Sequence, residues 1–132
     1  VRKNMQGTTS DIQVSLEGAL VIAERTGKYA GLLGPFWCGK AGKWQDAWLD
    51  EDTPPAAAKV GVLRTDCREP FWAIADFDRY CRRGPDGKPQ GPWRTMAHLM
   101  LARCAKLQAL RRAFPEELEG LQTAAHADEA EA

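Results

Sequence analysis

No Gly or Pro interrupts the stretch from Met96 to Phe114, and its apolar positions are written with a helical period. At about 100° per residue Met96, Leu99, Met100, Leu107, Leu110 and Phe114 form one broad arc. Ala102, Ala105, Ala109 and Ala113 form a second, small-residue face that would let another backbone approach closely. Thr95 is placed to cap the start and Pro115 to stop the end, which predicts about nineteen residues, or roughly 28 Å of helix. A shorter helix of about three turns is predicted upstream. Ser15 stands at its N-cap, Glu17 in the first turn, Arg25 in the last and Gly27 just past the end.

Between Lys28 and Phe77 the period changes to short aromatic and β-branched runs punctuated by Gly and Pro, the pattern of an antiparallel sheet. LLGPFWCG and KWQDAWL, joined by Lys40, Ala41 and Gly42, read as a hairpin; AKVGVLR and PFWAIADF supply two more strands. Alternation puts Trp44, Asp46 and Trp48 on one face of their strand, and Phe71, Ala73, Ala75 and Phe77 on one face of the last. Residues 1–13 read as a turn or the stump of a hairpin. The fold class that follows is α+β: a small antiparallel β-sheet packed against a long C-terminal helix and a shorter N-terminal one.

A chain of 132 residues, 44% hydrophobic and 27% charged, suits one compact domain. No run approaches the roughly 20 apolar residues of a membrane span and no signal peptide opens the chain, so a soluble, cytoplasmic protein is expected. Cys38, Cys67, Cys81 and Cys104 are widely spaced, and His98 and His126 are the only histidines, so no zinc spacing arises and reduced, mostly buried thiols are expected. Asp50, Glu51 and Asp52 are consecutive and followed by TPP. A metal-dependent nuclease would need carboxylates converging from separate elements, so a solvated loop is the expectation, with no metal and no cofactor. No P-loop, GxSxG or Cys/His dyad gives catalysis a carrier, and the chain is not expected to be an enzyme.

Charge changes the picture more than composition does. Net charge is zero, yet from Arg79 to Arg112 nine basic residues face Asp86 as the sole acid, while every charged residue from Pro115 onward is acidic. A basic block beside an acidic tail is a layout found in nucleic-acid binders and in plain solvated faces. Arg103 and Arg111 lie in or beside the apolar arc. Either they snorkel along the core, or their guanidinium groups line a groove and hold an anion, for which the planar fork suits them. Five tryptophans invite either core packing or base stacking, Trp93 above all, since it adjoins Arg94 after the loop RRGPDGKPQGP. That loop, with Arg82, Arg83 and Lys88, could fold over a bound strand or serve as a mobile connection.

QVSLEGALVIAERTGKYAG, GPFWCGKAGKWQDAWL, PPAAAKVGVLR, REPFWAIADFDRYCR and GPWRTMAHLMLARCAKLQALRRAFPEELEGL, in that order, resemble the RecT/Bet family of phage single-strand annealing recombinases, the family that includes the lambda Bet protein. The resemblance spans roughly Gln13 to Leu121. It implies a compact α+β core, residues 1–121, that coats single-stranded DNA and pairs it with a complementary strand without ATP. Residues 122–132 are then an acidic tail, expected to be disordered. It further implies a homo-oligomeric ring or filament, an annealed duplex intermediate, no membrane association, and a phage exonuclease and host single-strand binding protein as partners, in the cytoplasm of a bacterial host. Position by position it carries over Trp93, Arg94, Arg103, Lys106, Arg111 and Arg112 as DNA contacts, with Lys88, Arg82 and Arg83 of the preceding loop beside them.

The family pattern "DG, aromatic, Arg" reads Glu17, Gly18, Ala19, Leu20 here, so one aromatic and one basic contact have no counterpart. The family's N-terminal assembly region and C-terminal exonuclease-recruiting module also have none, and the expectation is a chain truncated at both ends. Annealing of complementary single strands is the leading expectation. The alternative is a protein-interaction or oligomerisation module of a recombination complex that uses the alanine face and the Trp-rich sheet and binds no DNA itself.

Overall fold

The computed structural model describes residues 13–118 and 122–123. Its elements in order are β1 (Gln13–Val14), α1 (Leu16–Arg25), β2 (Tyr29–Cys38), β3 (Ala57–Arg64), β4 (Phe71–Asp76), α2 (Phe77–Tyr80), α3 (Pro92–Thr95), α4 (Ala97–Ala113), α5 (Pro115–Leu118) and β5 (Gln122–Thr123). Strands β2, β3 and β4 form an antiparallel sheet in sequence order, and α4 lies across one face of it. The class is α+β, as the hydrophobic pattern predicts. The expected reading of the first twelve residues, and that of the acidic tail from Ala124 on, fall outside the described residues; Gln122–Thr123 pairs in parallel with Gln13–Val14.

Helix α1 begins and ends as its sequence dictates. Ser15 Oγ accepts from the Gly18 N–H at 3.1 Å, and the chain leaves through Gly27 at φ 75°, a left-handed conformation that costs glycine little. Leu16, Ala19 and Ala23 turn inward.

Three local expectations are corrected. Lys43 to Leu49 is not a strand; its contact with the sheet is a single bridge, Trp37 to Gln45, closed by two 2.8 Å backbone hydrogen bonds. The alternation there was misleading because its two tryptophans go to different places. Trp44 reaches Lys59 on the sheet, whereas Trp48 donates its Nε1–H to the Thr53 carbonyl and folds the acidic loop back. Thr95 does not cap the long helix. Pro92, preset for a first helical position, nucleates a separate turn, and Met96 (φ −139°, ψ 51°) breaks the path before α4 starts at Ala97.

The third correction concerns the buried arc. Met96 and Leu99 are 43% and 49% exposed, while Ala97, Ala102, Ala105, Ala109 and Ala113 are buried with Leu101, Cys104, Leu107, Leu110 and Phe114. The small-residue face is therefore the one laid on β3 and β4, against Ala58, Val60, Val62, Ala73 and Ala75. Small side chains on both surfaces let helix and sheet backbones approach closely, and a weak amphipathic signal is the result. Of the cysteines, Cys38, Cys81 and Cys104 are buried and Cys67 is exposed.

Arg64, at the end of β3, locks the C-terminal end of α4. Its Nε and Nη2 donate to the two carboxylate oxygens of Asp66 at 2.8 Å each, its Nη1 donates to the Ala113 carbonyl, and its guanidinium lies 4.8 Å from the centre of the Phe114 ring. One terminal carbonyl of the helix thus gains a charged donor. The hydrogen bonds from Arg64 hold the Asp66 carboxyl well below its ordinary range. A carboxyl depressed in the folded state contributes stability that is full above the ordinary carboxylate pKa and lost as pH falls below it. Asp66→Asn should therefore melt at lower temperature than the parent at pH 7, and the gap should shrink as pH falls below about 4, read by circular dichroism melts across that range.

Candidate nucleic-acid interface

The basic block occupies three elements: the short helix α2, the loop that follows it, and α4 with its preceding turn α3. The loop from Arg82 to Gln90 is a folded hairpin. Gln90 and Gly84 donate backbone hydrogen bonds to the Arg82 and Lys88 carbonyls at 2.9 Å each, Arg83 and Pro89 form a bridge, and Asp86 Oδ1 accepts from the Lys88 N–H at 3.0 Å. These bonds shape the loop into an arm that carries Arg83 and Lys88.

The candidate cations divide by what they touch. Arg83 is spent on the fold: it donates to the Gly87 carbonyl at 3.1 Å and to Asp78 at 3.3 Å, and sits 5.7 Å from the Phe77 ring centre. Arg103 forks onto Glu17 of α1, at 3.0 and 3.4 Å, and this hydrogen bonding lowers the Glu17 carboxyl. Arg112 Nη1 donates to the Trp72 carbonyl at 2.9 Å, tying α4 to β4. Among the described residues, Lys88, Arg94, Lys106 and Arg111 have no carboxylate partner. Arg94 and Lys88 are exposed; Lys106 and Arg111 are half-buried.

Helix geometry keeps these charges from converging. Nine residues at about 100° each set Arg103 and Arg112 on opposite sides of α4; Arg103 faces α1 and Arg112 faces β4. Arg111 shares a stripe with Met100, about 20° away in projection. Met100 in turn lines a shallow cleft of about 280 Å³ with Arg82, Gln90, Gly91, Pro92 and Trp93.

Trp93 separates this cleft from a larger one of about 440 Å³, walled by Arg94, Thr95 and His98 on one side and by Trp48 and the Asp50–Pro55 loop on the other. Trp93 itself is 7% exposed and meets Phe77 edge-on, ring centres 6.0 Å apart. Its ring is packed into the core, where it braces the turn that carries Arg94, and only a small part of it is left for a stacking base to meet. The acidic loop organises itself, Asp50 Oδ1 accepting from the Asp52 and Thr53 N–H groups, and no group of three or more metal-ligating side chains occurs among the described residues. No helix among them is long and apolar enough to cross a membrane.

Lys59 escaped the sequence reading. It lies on the sheet face opposite α4, its Nζ 4.8 Å from the Trp44 ring centre, 4.9 Å from Trp72 and 6.0 Å from Phe36. The signal was present in the strand alternation, which sets Lys59 opposite to buried Ala58 and Val60, but a lone lysine in an apolar strand draws no attention.

No curated protein matches the chain, and no solved structure does. A family-level match covers nearly all of it. The ordered motifs, the α+β core and the basic helix thus belong together: over residues 2–132 the chain matches the RecT family, and it is a member of that family of recombination proteins, whose general work is the annealing of single-stranded DNA.

Proposed function

We propose that this chain binds single-stranded DNA along its sugar–phosphate backbone and promotes pairing with a complementary strand, without ATP and without any covalent step. The observation that carries this reading is the basic block from Arg79 to Arg112, in which Lys88, Arg94, Lys106 and Arg111 have no carboxylate partner among the described residues. Cations on phosphates release counterions and give affinity that is indifferent to sequence. Bases left unread by side chains remain available to a second strand, and duplex stability drives the reaction forward. Arg94, Lys106 and Arg111 are the contacts this reading ranks first, with Lys88 at the tip of the arm; Arg82, Arg103 and Arg112 contribute after exchanging or sharing their present partners. A homo-oligomeric ring or filament, with exonuclease and single-strand binding protein as partners, belongs to the same reading.

Of the two surfaces that an interaction module without DNA binding would use, the alanine face is consumed by the chain's own sheet, which leaves it the Trp-rich sheet face. The test is fluorescence anisotropy of a labelled oligonucleotide, read from low to moderate salt. Binding should weaken linearly in log salt, with a slope of about 0.7 for each phosphate contact on a single strand, and complementary oligonucleotides should anneal faster with the protein present and no nucleotide added. A flat salt response, or annealing no faster than in buffer, would count against the reading.

A further inference from the structure

The sheet face turned away from α4 carries an aromatic cluster that the basic helix does not account for. Register sets its members side by side: Phe36 pairs with Lys59, Lys59 with Ile74, and Gly61 with Trp72, while Trp44 swings in from the loop after β2. Ile74 is 55% exposed and the three rings are partly exposed, with no described element laid over them. A Cβ on Gly61 would stand 3.0 to 3.2 Å from three atoms of the six-membered ring of Trp72. So near-equal an approach means that one face of this ring lies flat on the Gly61 backbone, while the Lys59 ammonium stands over the ring and the side chain stays partly exposed. The central charge is Lys59, which has aromatic neighbours and no carboxylate partner among the described residues.

We infer that this face is a stacking platform for unpaired nucleobases, with Trp72 and Trp44 taking the bases and Lys59 the adjoining phosphate. Two observations favour a nucleic-acid strand over a second protein surface. An unpaired lysine at the centre of an apolar patch suits a polyanion, and buried centres of protein interfaces are depleted in lysine. A cation also stands at the edge of the platform's own strand, where Arg112 donates to the Trp72 backbone carbonyl. Aromatic rings on an open antiparallel sheet can accept any base, because every base has a π-face. The inference rests on the single-strand reading above and adds a base contact to its phosphate contacts.

The test compares oligothymidylate with an abasic oligomer of equal length on the 132-residue chain, by anisotropy and intrinsic tryptophan fluorescence. Oligothymidylate should bind about tenfold more tightly and quench fluorescence more at saturation. Trp44→Phe with Trp72→Phe, folded by circular dichroism, should lose most of that preference, and Lys59→Gln should keep the preference while lowering the salt slope by about 0.7. Equal affinity of the parent for both oligomers overturns the platform and leaves the backbone reading standing; failure to bind either overturns both. An unchanged preference in the double variant also overturns the platform, and if that variant alters its sedimentation at the same time, the face belongs to a second copy of the chain.

Discussion

Trp93→Ala is expected to lower the stability of the chain by roughly 3 to 5 kcal/mol, the range for deleting a large buried aromatic ring. Against a total of about 5 to 15 kcal/mol for a domain, that is a large share. The ring is 7% exposed and braced by Phe77, and it also walls both clefts beside the basic helix. A cavity there would loosen the turn Pro92–Thr95 and with it the placement of Arg94. The measurement is a thermal or urea melt followed by circular dichroism. A variant with parental stability and weakened DNA binding would instead make Trp93 a direct contact, and the packing account would be wrong.

Arg94 and Arg111 replaced together by Gln should lose about a hundredfold in affinity for single-stranded DNA while melting like the parent. Each is without a carboxylate partner among the described residues, so neither change orphans a buried charge. A hydrogen bond to a charged group is worth roughly 1.5 to 3 kcal/mol, or about tenfold or more for each residue. They stand at opposite ends of the α3–α4 stretch, too far apart to share a phosphate, so their effects should add. The salt slope should fall by about 1.4. Arg25→Gln, at the exposed end of α1, serves as the control and should bind as the parent does. Equal binding by the double variant and the control would remove this helix from the interface.

What the sequence made legible follows from how local each signal is. The cap of Ser15, the stop at Pro115 and the alternation of Phe71, Ala73 and Ala75 need only neighbouring residues, and the structure repeats them, whereas Phe77, expected on the same strand face, begins the next helix. The face of α4 needed a partner. Alanine scores as neither clearly apolar nor polar, so an alanine face pressed on a sheet of small residues reads as the weaker of two stripes, and Met96 and Leu99 were wrongly turned inward. Charge density was legible in the sequence and charge direction was not. The list from Arg82 to Arg112 named the cations, but the engagement of Arg103 by Glu17, 86 positions away, and of Arg112 by Trp72, 40 positions away, depends on the tertiary fold. The cluster around Lys59 was hidden for the same reason, since its rings come from β2, β4 and an irregular loop.

The alanines under α4 also restrict how such a chain can change over generations. A single-base change in an alanine codon yields Val, Thr, Ser, Pro, Gly, Asp or Glu. Beneath this helix Pro breaks it, Gly loosens it, and each of the others brings bulk or an unsatisfied polar group into a space with no slack. Ala105 and Ala109, both fully buried, leave no neutral step. On the outer side, exchanging a cation without a partner in the fold, such as Arg94, for Lys costs the fold little. Descendants of this sequence are thus free to trade one surface cation for another, yet held to a fixed spacing between helix and sheet.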